Sequence, residues 1–170
     1  METIQRKSPL TAVVQQVINN TTSWIGQQFG ETKSRVSGQT FTCPTEGDLD
    51  SIEIFSTCVT KNVPVDLTIH LFDSENKSWG PELRTSTVEF NRIDSGKWIS
   101  FPLQGLHLQK GKTYAFRLKS DAGLIGVGEA ASGTNHLPFT TGQEWVSNSD
   151  DLKGNYFSYL NLAYKVEMRA

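Results

Sequence analysis

Along most of this 170-residue chain, hydrophobic and polar positions alternate with a period of two. In Leu49–Cys58, Ile52, Ile54 and Cys58 share one parity against Ser51, Glu53 and Thr57. Val65, Leu67, Ile69 and Leu71 alternate with Asp66, Thr68 and His70. Ile99, Phe101 and Leu103 oppose Trp98 and Ser100; Tyr114, Phe116 and Leu118 oppose Thr113, Arg117 and Lys119. The last run places Leu160, Leu162, Tyr164, Val166 and Met168 together. Successive side chains of a strand point to opposite faces, so each run predicts a half-buried strand whose apolar set faces a core. Turn formers separate the runs: Pro44-Thr45-Glu46-Gly47, Asp73-Ser74-Glu75-Asn76, Asp94-Ser95-Gly96 and Lys110-Gly111-Lys112. Many short strands with turn signals between them predict an all-β antiparallel sandwich.

Two readings stand for residues 9–20. Leu10, Val13, Val14, Val17 and Ile18 recur at the spacing of a helix face, with Ser8 placed as a cap and Pro9 at the first turn. Most of those residues are β-branched, which favours a strand. The period points to a short helix.

Composition narrows the picture. Sixteen basic and 18 acidic residues leave a net charge of -2, with no basic footprint for nucleic acid or an anionic membrane. No apolar run is long enough to span a bilayer. The length suits one domain over 1–170, with 1–8 as a tail. The N-terminus lacks the apolar core of a signal peptide, so a native Met1 implies a cytoplasmic start, and the sequons at Asn19, Asn20 and Asn76 carry no weight. Cys43 and Cys58 share parity with core positions and are expected as free, inert thiols.

Three stretches then acquire a joint meaning: GQTFTCPTEGDLDSIEIF (Gly38–Phe55), KWISFPL (Lys97–Leu103) and LHLQKGKTYAFRL (Leu106–Leu118). With Gly142 and Trp145 ahead of a closing strand, they resemble bacterial jelly-roll accessory modules of the carbohydrate-binding or galactose-binding-like kind over roughly residues 24–168. The resemblance implies a sandwich of about eight strands, a strand rather than a helix near Val13–Val17, and non-catalytic binding work. Modules it resembles are extracellular. It assigns Trp145 to the sandwich edge, and a structural calcium is common among them. Phe41, Phe101, Tyr114 and Phe116 fall on inward faces, and Gly47 and Gly111 stand where a tight turn needs positive φ.

Catalytic motifs are missing: no G-x-S-x-G, P-loop or H-E-x-x-H occurs. Gly123, Gly126 and Gly128 do not form a dinucleotide fingerprint and suit a closely packed strand. His70, His107 and His136 have no partner at metal-ligand spacing, and hydrogen-bonded structural roles are expected for them. Oxygen donors cluster at Asn148, Asp150 and Asp151, the candidate calcium ligands, and at Asp73, Glu75 and Asn76, which equally form turns. The stretch Glu129–Tyr156 reads as one long connection carrying aromatic and polar residues. An aromatic ring matches the C–H face of a sugar while polar groups grip its hydroxyls. Trp79, Trp145, Asn135, His136 and Tyr156 are therefore the candidate ligand residues, with both tryptophans placed in loops. The expected function is a non-enzymatic module for a saccharide or other polyhydroxylated ligand. The alternative is an assembly module that binds a protein partner.

Overall fold

The computed structural model describes residues 9–27, 34–121, 123–132, 142–148 and 152–169. The first seven strands are β1 (Leu10–Gln16), β2 (Thr21–Gly26), β3 (Val36–Thr42), β4 (Gly47–Val59), β5 (Val63–Asp73), β6 (Ser78–Phe90) and β7 (Lys97–Leu108). They are followed by β8 (Thr113–Lys119), β9 (Leu124–Ala131), β10 (Glu144–Ser147), β11 (Asn155–Phe157), β12 (Leu160–Leu162) and β13 (Tyr164–Arg169). One 3₁₀ turn, Arg92–Asp94, links β6 to β7. The chain is an all-β sandwich of two antiparallel sheets, as the alternation predicts, with thirteen strands among the described residues in place of about eight.

The first sheet runs β1-β13-β4-β9-β12, with β7 also on β4 and β2 also on β9. The second runs β11-β10-β3-β8-β5-β6. Between them lie the inward positions of both: Ile52, Ile54, Phe101, Val127, Tyr164 and Val166 meet Phe41, Val65, Leu67, Ile69, Phe116 and Leu118, all fully buried. Phe41 is the hub of the ring contacts, 5.9 Å from Tyr114, 6.4 Å from Phe116 and 6.3 Å from Tyr164. A side chain of this size stabilises by roughly 1.5–3 kcal/mol when fully buried.

Several expectations are corrected. Residues 10–16 form a strand paired with β13, not a helix. There the β-branched side chains of Val13 and Val14 pack against the core, and that tertiary contact outweighs the weak helical period. Gly47 is not among the positive-φ glycines, whereas Gly111 is, at 82°. Gly47 stays glycine for space, since an added Cβ would lie 2.5 Å from the Arg169 carbonyl. Register shifts in β4 at Leu49/Ser51 and Ser56/Cys58 move the parity, so Leu49 and Ile52 are both buried and Val59 replaces Cys58 inside. Cys43 is buried, Cys58 half-buried, and both are free thiols. Glu129–Tyr156 is not one connection: β9 runs to Ala131, and β10 and β11 begin within it.

Candidate functional site

The outer face of the second sheet carries an aromatic cluster. Direct pairing aligns Tyr156 with Trp145, Trp145 with Gly38, Gly38 with Arg117, Arg117 with Thr68 and Thr68 with Thr85. Paired residues share a face, so this is one row across five neighbouring pairs. Beside it, β5 contributes His70 and Phe72, paired with Glu82 and Trp79 of β6. Register shifts around His70 give β6 more residues than β5, and Pro81 sits within that irregular stretch. A bulge on an edge strand accommodates proline and re-aims the following side chains, here bringing Trp79 over the sheet.

Trp79 meets its neighbours edge to face, and Phe72 and Tyr156 are tilted against each other. Trp79 lies 5.0 Å from Trp145, 5.0 Å from His70 and 5.8 Å from Phe72, and Phe72 lies 5.8 Å from Tyr156. The floor beneath them is small. A Cβ on Gly38 would come within 3.1 Å of Trp79 Cη2, 3.2 Å of Trp145 Cε3 and 2.8 Å of the Phe116 carbonyl. Neighbouring Ala115 is fully buried. Trp145 is 1% exposed, so its ring supports the cluster from below. Phe72, Trp79 and Tyr156 remain half-exposed and form its surface.

Polar contacts hold the shelf in place. The Tyr156 hydroxyl donates to the Lys77 carbonyl at 3.1 Å, and Lys77 Nζ stands 5.8 Å from that ring. Lys77 has a left-handed backbone, φ 49°, at the hairpin tip, a conformation that non-glycine residues adopt at some cost. Burial raises the Tyr156 pKa. His70, on the polar parity of its strand, is nonetheless only 1% exposed because Trp79 covers it. Its Nδ1 is 3.0 Å from the Gly80 carbonyl and its Nε2 accepts from Arg117 Nε at 3.1 Å, so the neutral Nδ1–H tautomer fits. Burial first, then the charge of Arg117, lowers its pKa, while the Gly80 bond and Glu82 oppose this.

A polar cavity of about 230 Å³ adjoins the shelf, lined by Asp66, Thr68, Glu82, Thr85, Arg117 and Lys119. Arg117 Nη2 donates to Glu82 at 2.9 Å, Thr87 donates to Asp66 at 2.6 Å, and the Thr68 and Thr85 hydroxyls are 3.0 Å apart.

Three of the five candidate ligand residues, Trp79, Trp145 and Tyr156, thus meet in one cluster. The loop placement of both tryptophans is corrected: each lies in a strand. Asn135 and His136 lie outside the described residues. So do Asp150 and Asp151, while Asn148 is exposed. Asp73 Oδ1 accepts from the backbone N–H groups of Glu75 and Asn76, at 3.0 and 3.1 Å, which accounts for that acidic group as a turn. A hydrogen bond from the Asn76 side chain above all, then those from the backbone, lowers the Asp73 pKa. Among the described residues, no three His, Cys, Asp or Glu side chains gather to hold a metal. Phe72, Arg117, Glu82 and Gly38 were missed as site residues. For Phe72 and Arg117, parity on β5 and β8 was the available signal; for Glu82 the register shifts of β6 break the parity.

The fold defines a two-sheet β-sandwich module. No protein-family model and no curated protein matches the sequence. Two solved structures share the fold. The first, the clostridial cysteine protease Cwp84 after propeptide cleavage, aligns over 96% of this chain at TM-score 0.59 and 12% identity. The second holds the cysteine protease and lectin-like domains of Cwp84, a surface layer associated protein of Clostridium difficile. It aligns over 88% at TM-score 0.53 and 13% identity. The chain spans only 40% and 36% of those proteins.

Proposed function

We propose that this domain is a non-catalytic binding module for a saccharide or similar polyhydroxylated ligand, held on the outer face of the second sheet. The observation that carries the reading is the half-exposed set Phe72, Trp79 and Tyr156, fixed in place beside a cavity of hydroxyl, carboxylate and guanidinium groups. Rigid rings give stacking area at little entropic cost, and neighbouring polar groups set orientation. The lectin-like domains of a structural neighbour point the same way. On the opposite sheet, Lys165 Nζ sits 4.3 Å from the ring of Trp98 and already occupies that face. Edge pairing with a protein partner has less support, because β6 ends the second sheet with irregular pairing and Pro81, devices that blunt an edge.

Titration of tryptophan fluorescence with a neutral saccharide panel tests this. Dissociation constants of roughly 10 μM to 1 mM are expected. Trp79→Ala should abolish the response while the domain stays folded. Trp145→Ala should instead cost stability, about 3 kcal/mol or more, as a fully buried ring. A folded wild type that answers no saccharide at about 10 mM rejects the reading and favours the protein-partner module.

A further inference from the structure

The aromatic shelf and the polar cavity each hold half of what a sugar site needs. On the shelf the Tyr156 hydroxyl is engaged with Lys77 and both His70 nitrogens with Gly80 and Arg117, while the Trp79 indole N–H is buried without a partner among the described residues, so the rings offer stacking area above all. In the cavity no aromatic side chain lines the wall. His70 joins the two, its ring on Trp79 and its Nε2 on Arg117. Thr68, His70 and Phe72 alternate along one face of β5, so at roughly 3.3 Å per strand residue the cavity begins about 7 Å from Phe72, at Glu82 and Arg117 beside His70, and reaches about 13 Å at Thr68. That exceeds one pyranose ring. The cavity's charged groups are already partnered: Arg117 with Glu82, Lys119 with neighbouring Asp121, and Asp66 with the Thr87 hydroxyl. An anionic ligand would meet both carboxylates, whereas neutral hydroxyls can donate to the acids and accept from the bases.

Building on the saccharide reading, we infer that the ligand is a neutral oligosaccharide bridging two subsites, one sugar stacked on Phe72, Trp79 and Tyr156, another held in the cavity by Glu82 and Arg117. The two contacts reinforce each other once a single chain reaches both, because the second contact then forms within one complex.

Calorimetric titration with glucose, galactose, mannose and xylose, and with their linear oligomers up to the hexamer, tests the inference. Affinity should climb roughly tenfold or more when the chain first spans both subsites, then level off. Arg117→Ala should lower oligomer affinity roughly tenfold or more and abolish its dependence on chain length. Glu82→Ala, at an exposed position, should do the same if Arg117→Ala misfolds. Equal affinity for monomer and oligomers, or oligomer binding indifferent to both substitutions, overturns the two-subsite inference while the saccharide reading survives. Binding at no chain length defeats both.

Discussion

Glu144 shows how one side chain sets a property of the whole domain. It is fully buried, opposite Gln39, and among the described residues neither of its carboxyl oxygens has a hydrogen-bond partner. Burial above all, then the neighbouring Glu129 carboxyl, pushes the Glu144 pKa up to about 10, with Arg35 opposing. The folded state therefore keeps a proton that the unfolded chain releases above about 4.5. Stability should fall as pH rises from about 4.5 towards 10, by at most about 1.4 kcal/mol per pH unit. Urea denaturation from pH 5 to 9 should show this slope in the wild type and a flatter one in Glu144→Gln. Parallel slopes would mean that Glu144 is ionised in the fold. Nothing in the alternation pattern marks Glu144 as buried, since it precedes Trp145 in a four-residue strand.

At the scale of the element, one extra residue decides which thiol reacts. β4 pairs Ser56 with Val127 but Cys58 with Gly126, so Thr57 is the added residue and Cys58 turns from the core. Cys43 lies inside, its Sγ 3.7 Å from Met168 Sδ, and burial raises its pKa. A polar thiol reagent should label Cys58 faster than Cys43 in the native protein, which mass spectrometry resolves by peptide. Equal rates, or a disulfide, would contradict the register of β4. The strands themselves were legible because alternation is local: β5, β7, β8 and β13 lie where the pattern puts them. Bulges were not legible. A bulge is chosen by the partner strand, and the partner is distant in sequence.

The whole molecule has a net charge of -2 and a candidate site with balanced charges. Saccharide affinity should therefore change less than about twofold between roughly 50 and 500 mM salt, because screening weakens net-charge attraction and leaves stacking intact. A steep salt dependence in the same titration would point to an anionic ligand. The sequence by itself determined the all-β class, most of the strands and the inward set Phe41, Phe101, Tyr114 and Phe116, because burial follows a period that each segment carries alone. It also singled out Trp79, Trp145 and Tyr156 as aromatics to watch. Only the tertiary structure decided that they belong together. β10 docks on β3 and β11 on β10, which carries Trp145 and Tyr156 to a sheet whose β5 and β6 hold Phe72 and Trp79, far earlier in the chain. Gly38 leaves the space beneath them. Which outward side chains become neighbours depends on strand order and register, and those are settled by the packing of the two sheets around a shared core.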